Sequence, residues 1–266
     1  MTALLEVSGV TKSFGGLRAL SECSFEVAKG SVTGLIGPNG SGKTTMFNVI
    51  TGYERADSGT IRFDGRDVSG LAADKVGGLG LGRTFQLTRV FGRLDLLDNI
   101  RVGSRGVPRS RRKELYSDDR CHELLDFVGL THLAHEQAGS LSYGQRKLVE
   151  LAMVLAQEPS VILLDEPAGG INPTLISQMA ERIVRLNKQG VTFLLVEHNM
   201  EFVMGICQTI AVMERGSVIA VGKPDVIRDD PRVLDAYLGG AVDEDDMDDE
   251  GDVTATSAGT TTTGAE

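Results

Sequence analysis

VTGLIGPNGSGKTT, residues 32–45, decides how the rest of the chain is read. The apolar run VTGLI has the character of a buried strand. It passes into a glycine-rich loop and then into a segment expected to be helical from Thr44 to about Thr51. GPNGSGKT at 37–44 fits GxxxxGK[ST], in the strand–loop–helix setting that a phosphate-binding loop requires. Gly37, Gly40 and Gly42 let the backbone curl so that its N–H groups face a phosphate. Lys43 is expected to reach the β- and γ-phosphates, and Thr44 to hold Mg²⁺. Pro38, Asn39, Ser41 and Thr45 complete the candidate loop.

Further along, VILLDEP at 161–167 supplies the natural partner. Four apolar residues make a buried parallel strand that ends in two carboxylates. Asp165 is expected to hold Mg²⁺, directly or through water. Glu166 is expected to face the γ-phosphate and to orient or deprotonate the attacking water. His198 follows another apolar strand, VTFLLVE, and Gln86 ends GRTFQ. Parallel-sheet order places such strand ends on one rim, beside the phosphates.

A second helix start stands apart from these. In SLSYGQ, 140–145, Ser142 is a good N-cap and Gln145 sits at the capping-box spacing. The free N–H groups of such a start attract anions. One ATP-sized ligand has no evident use for two helix N-termini about a hundred residues apart.

The 266 residues are enough for a full core, as one domain with a sub-domain or two small ones. Glycine-rich turns between short apolar runs point to α/β architecture. LLEVSGV, SFEV and GTIRFDGRDV read as strands, the last with an Asp-Gly turn. Residues 88–140 carry helical periodicity, in LLDNIRVG and CHELLDFVGL. Beyond residue 160, strands alternate with helices near 173–189 and 200–207. A hairpin, TIAVMERGSVIAVG, and a short helix at 231–238 follow.

Cys23, Cys121 and Cys207 are scattered and odd in number, which reads as reduced core thiols of a cytosolic protein. The net charge of −10 is concentrated: residues 241–266 hold nine acids and no Lys or Arg, which predicts a disordered acidic tail. The nearly neutral remainder gives no support for a broad nucleic-acid-binding face. The basic run RSRRKEL at 109–115 reads as a solvated helix start or loop, and His132 and His135 as surface residues. No apolar stretch is long enough to span a membrane.

Taken in order, GPNGSGKT, FQ, LSYGQ, VILLDEP and VEHN resemble the ATP-binding cassette of ABC transporters over residues 4–239. The resemblance implies a P-loop NTPase (RecA-like) α/β core, residues 1–86 and 141–240, with an N-terminal antiparallel β subdomain and an inserted helical subdomain at 87–140. It implies MgATP as the bound species. Glu166, His198 and Gln86 would be catalytic, with Gln86 also a Mg²⁺ ligand beside Thr44 and Asp165. Phe14 in TKSFGG would stack on adenine. The resemblance further implies a head-to-tail dimer, with itself or a related subunit. Ser142, Gly144 and Gln145 would then serve the other subunit's ATP, so the two helix starts of one chain serve two nucleotides. The segment after Gln86, including Leu87 and Val90, would face a transmembrane permease, placing the chain on the inner face of the cell membrane. A solute-binding protein would be an indirect partner.

GLGRTFQLTRVFGRLDLLDNIRVG, DEPAGGINP and MERGSVIAVGKPDVIRDDPRVLDAYLG closely resemble the branched-chain amino acid importer ATPases. Urea-type importers and lipopolysaccharide-export ATPases share parts of them. Tyr143 and Asn172, where Gly and Asp are common in cassettes, are shared with the branched-chain branch. Soluble cassettes of repair or translation usually carry two cassettes or a coiled-coil insertion, and a P-loop kinase would not require LSYGQ.

Overall fold

The computed structural model describes residues 2–103 and 117–238. The basic run at 109–115 and the tail at 241–266 lie outside the described residues.

Among the described residues the strands form two sheets. The first is antiparallel, in the order β2-β1-β4-β5, from β1 (Ala3–Phe14), β2 (Leu17–Ala28), β4 (Ser58–Phe63) and β5 (Arg66–Asp67). Asp64 and Gly65 join β4 to β5 with φ of 48° and 73°, as the tight Asp-Gly hairpin turn requires. β1 runs further than the expected LLEVSGV. Gly9, at φ 59°, sits where the pairing with β2 shifts register, between Val7 and Val10. Such a bulge breaks the alternation in sequence without ending the strand.

The second sheet has the order β10-β9-β3-β8-β7-β6. Its members are β3 (Val32–Ile36), β6 (Leu81–Arg83), β7 (Val161–Asp165), β8 (Thr192–Val196), β9 (Thr209–Glu214) and β10 (Ser217–Gly222). β9, β3, β8, β7 and β6 are mutually parallel, and β10 closes one edge antiparallel. β3, β7 and β8 are buried along their whole length, so their sequences are continuous apolar runs. Successive residues still go to opposite faces. Val161, Leu163, Leu194 and Val196 pack toward the first sheet, together with Met46, Phe47 and Ile50 of α1 (Lys43–Ile50). Ile162, Leu164, Phe193 and Leu195 pack the other way.

That other core is covered by helices: α3 (Leu96–Gly103), α4 (Asp118–Val128), α5 (Tyr143–Leu155), α6 (Pro173–Lys188) and α7 (Met200–Ile206). Helices expected near 173–189, 200–207 and 231–238 are present, the last as α9 (Pro231–Leu238). Two short helices carry no helical signal in sequence: α2 (Ala73–Gly78), which ends in two glycines, and α8 (Pro224–Arg228). No helix among the described residues is long and apolar enough to cross a membrane. The three cysteines are buried and free, and burial pushes the Cys207 thiol up to about 12.

Candidate active site

The parallel strands deliver their C-terminal ends to one rim. Asp165 of β7 is in register with Val196 of β8, so Glu166 and His198 emerge side by side. Leu35 of β3 is also paired to Val196, which brings the loop after β3 to the same place. Gln86 is three residues beyond the end of β6, not at a strand end as expected. Thr84 still donates to Leu163 O, but the chain then bends away from the sheet.

Two glycines of the loop before α1 are fixed by close contacts. Gly37 adopts φ 148°, and a Cβ there would lie 2.0 Å from Met213 O and 2.9 Å from Ser41 Oγ. Gly42 adopts φ 101° at the N-cap of α1, where a Cβ would lie 2.6 Å from Ala19 O. Four later helices are capped by their own side chains, Ser117, Ser142, Asn172 and Asn199. α1 has neither a side-chain cap nor an acidic residue in its first turn. Its leading N–H groups are left to an external anion. Lys43 folds back over the loop, donating from Nζ to Gly37 O and Pro38 O at 2.8 Å each and to Ser41 Oγ at 3.4 Å. Burial lowers the pKa of this ammonium, while Glu166 and Asp165 act to raise it.

A cleft of about 600 Å³ opens in front of the loop. Phe14, Asn39, Gly40, Ser41, Gly42, Lys43, Thr44 and Thr45 line it, with Gln86, Glu166 and His198. Phe14 is 44% exposed, which excludes a core role for it, and the Lys12 ammonium lies 5.1 Å from its ring. Arg18 and Arg215 also border the cleft; they lie outside every motif.

Glu166 is the fixed point of the far side. Gln86 Nε2 donates to its Oε2 at 3.0 Å, and His198 Nε2 lies 3.0 Å from its Oε1. Its backbone adopts φ 49°, a left-handed conformation that costs a non-glycine residue on the order of 1–3 kcal/mol. Bonds on both sides hold it there: Glu166 N–H donates to Val196 O at 2.9 Å, and Lys147 Nζ donates to Glu166 O. Beyond it, the buried Glu197 accepts from Ala168 N on one oxygen. On the other it accepts from His198 N at 3.0 Å and Asn199 N at 3.2 Å. This carboxylate stitches the loop after Glu166 to the one carrying His198.

Asp165 lies behind the cleft, buried, with Arg83 Nη2 3.2 Å from its Oδ2. Desolvation raises the Asp165 pKa against the pull of Arg83, and lowers the Arg83 pKa against the pull of Asp165. The donor chemistry fits magnesium: a Thr44 hydroxyl, the Asp165 Oδ1 that Arg83 leaves, and the Gln86 amide oxygen are hard oxygens. No group of three His, Cys, Asp or Glu side chains among the described residues could hold a metal ion on its own.

Ser142, Gly144 and Gln145 do not line this cleft. They form the start of α5, where both halves of the capping box are made: Gln145 N–H donates to Ser142 Oγ at 3.3 Å, and Ser142 N–H to Gln145 Oε1 at 2.9 Å. Ser142 is exposed. Gly144 has a reason within its own chain, because a Cβ there would lie 2.2 Å from Leu175 Cδ2.

A family model described as ABC transporter matches residues 20–169. The chain belongs to the ABC transporter family. It is an ATP-binding cassette, an ATPase whose hydrolysis is coupled to transport. A second model, described as branched-chain amino acid ATP-binding cassette transporter, matches residues 217–243 of the cassette. The high-affinity branched-chain amino acid transport ATP-binding protein BraF of Pseudomonas aeruginosa is 39% identical over 251 residues, covering 90% of the cassette and 98% of that protein. The corresponding LivG of Escherichia coli is 37% identical over 251 residues, covering 90% and 98%. Among solved structures, a nucleotide-free ATP-binding cassette from an ABC transporter matches with a TM-score of 0.80 at 32% identity, covering 89% of the cassette and 99% of that chain. A cassette in its ADP conformation matches with a TM-score of 0.79 at 33% identity, covering 90% and 100%.

Proposed function

We propose that the cassette is the motor subunit of an importer for branched-chain, hydrophobic amino acids, and that Glu166 is its general base. The observation that carries the catalytic assignment is Glu166 itself, held in a strained backbone conformation between Gln86 and His198 on the wall facing the glycine loop. Lys43 and the N–H groups of residues 37–45 bind the phosphates of ATP, and Phe14 stacks on the base. Lys43 then exchanges its loop carbonyls for phosphate oxygens. Thr44, Asp165 and Gln86 would hold Mg²⁺, which would supply positive charge against the phosphate oxygens. Glu166 takes a proton from water, and His198 and Gln86 keep its carboxylate aimed.

The cassette works as a dimer, with a second copy or a related cassette. Ser142, Gly144 and Gln145 close over the nucleotide held by the other subunit, in keeping with their absence from their own chain's cleft. The exposed Leu87 belongs to the face that meets the transmembrane permease at the inner side of the membrane, with the exposed Phe91 near it; Val90, expected on that face, is half-buried against the helical core instead. The solute assignment rests on BraF and LivG and on the family match at residues 217–243.

Glu166→Gln keeps shape and loses the base. ATP should bind with wild-type affinity while hydrolysis falls by about two orders of magnitude or more. Turnover near wild type in this variant would move the general base elsewhere. For the solute, the cassette is reconstituted in vesicles with its permease and binding protein. ATP-driven uptake of labelled leucine, isoleucine or valine is expected, and uptake of urea but not leucine would overturn that part.

A further inference from the structure

α5 carries a stripe that its burial does not explain. Tyr143, Lys147 and Glu150 are spaced i, i+4, i+7, which puts them on one face of the helix. Lys147 and Glu150 are each only 5% exposed, in a helix otherwise packed by Leu148, Val149, Leu151 and Ala152. Buried polar side chains are costly unless bonded, so their partners reveal what they hold. All three hold backbone, and all of it belongs to the two loops that carry Gln86 and Glu166. Tyr143 OH donates to Gln86 O at 2.9 Å. Glu150 Oε1 accepts from Phe85 N–H and from Arg89 N–H, both at 3.2 Å. Lys147 Nζ donates to Glu166 O. The Gln86 loop is thus pinned immediately before, at and shortly after Gln86, and the Glu166 loop is pinned at Glu166 itself.

We propose that Tyr143 and Glu150 are positioning residues for hydrolysis: they hold the Gln86 loop so that the Gln86 amide meets the Glu166 carboxylate, with Lys147 fixing the Glu166 side of the same gap. The stripe begins inside SYGQ, so displacement of the start of α5 is carried directly to the amide–carboxylate contact of the same chain. This rests on the reading of Gln86 and Glu166 as a catalytic pair. Neither Tyr143 nor Glu150 touches the cleft, so both act through Gln86.

The test is a double-mutant cycle on the full-length chain. Tyr143→Phe, Glu150→Ala and Glu150→Gln are each made alone and with Gln86→Ala, and kcat and KM for ATP are measured beside the affinity for a fluorescent ATP analogue. Tyr143→Phe and Glu150→Ala should each lower kcat by about tenfold, the scale of a lost buried hydrogen bond, with KM and analogue affinity within about twofold of wild type. Glu150→Gln retains an acceptor oxygen and should recover most of the loss. In the Gln86→Ala background each change should cost less than about twofold, because the group being positioned is gone. The same fold loss in both backgrounds, or a loss of nucleotide affinity matching that of kcat, overturns the proposal. If Glu150→Ala unfolds the chain, Tyr143→Phe alone decides, since it removes one hydroxyl and keeps the ring. Failure of the underlying reading looks different: Gln86→Ala and Glu166→Gln would then hydrolyse ATP at the wild-type rate.

Discussion

Glu150 is buried deeply enough for its protonation to register in stability. Desolvation raises its pKa from 4.5 to about 7, against the bonds from Arg89 N–H and Phe85 N–H and the charges of Lys147 and Arg89. Lys147 and Tyr143 face it from its own helix, Arg89 from the Gln86 loop, and Asp165 lies close by at the end of β7. A carboxyl with a raised folded-state pKa binds its proton more tightly when folded. Its stabilising contribution is complete below pH 4.5 and is lost as pH rises through about 7. Glu150→Gln is neutral at every pH. Its stability relative to wild type should therefore rise between pH 5.5 and 8, by about 2 kcal/mol for a shift of this size. Urea unfolding of both proteins at the two pH values measures this, and a difference that stays flat with pH would mean that Glu150 is ionised throughout. No motif points to Glu150, Lys147 or Arg83, and Glu197 passes unremarked inside VEHN, because each acts on backbone or on a neighbouring charge and not on the nucleotide. One signal was present: Lys147 and Glu150 interrupt the apolar run of α5 and fall on one face with Tyr143. That GPNGSGKT, Gln86, Glu166 and His198 would share one cleft was legible because each falls in a short pattern at or near the end of an apolar strand.

Helix ends give Asn172, at a position where many cassettes carry Asp, a local role that either residue could fill. Asn172 is the N-cap of α6. Its Oδ1 accepts from Leu175 N–H at 2.9 Å, and Pro173 follows at the first helical position. This local role needs an acceptor oxygen and no charge. Asn172→Ala should destabilise the protein by about 1 kcal/mol, and Asn172→Asp should be close to neutral. Denaturant midpoints of the three proteins check it; an alanine variant as stable as wild type would remove capping as the reason for the residue. The fully apolar strands β3, β7 and β8 and the helices α6, α7 and α9 were legible in sequence to within a residue or two, while β2 begins seven residues before the expected SFEV. The exceptions have local causes: the bulge at Gly9 hides the length of β1, α2 is short and ends in two glycines, and Gln86 leaves its strand early because the chain turns toward Glu150. The cap at Ser142 and the Asp-Gly turn at 64–65 were legible because each needs particular side chains at fixed spacing.

At the scale of the whole molecule, one chain presents an uncapped helix start inside its cleft and a self-capped one outside it. α1 opens on the cleft without a cap, while α5 opens on solvent with the exposed Ser142. The cross-subunit reading makes a specific demand of mixed assemblies. Lys43→Ala removes the loop cation, and Ser142→Arg places bulk and charge at the start of α5. Each homodimer then has two damaged sites. A mixed dimer has one site with both defects and one with neither, provided the start of α5 acts across the interface. If it acts within its own chain, every site in the mixture is damaged. Random pairing yields about half mixed dimers, so at most about a quarter of all sites are intact. Turnover reads such a mixture poorly when two sites cooperate, so Glu166→Gln is added to both chains and ATP-dependent cross-linking of differently tagged subunits is measured, with the permease present. Ser142→Arg also removes a helix cap worth about 1 kcal/mol, and Ser142→Ala, which loses the cap without the block, separates the two effects. ATP should capture the tagged pair in the mixture and neither homodimer. Mixed assemblies that form fully yet gain nothing from ATP would return the start of α5 to its own chain and leave SYGQ with the intramolecular role of its Tyr143 alone.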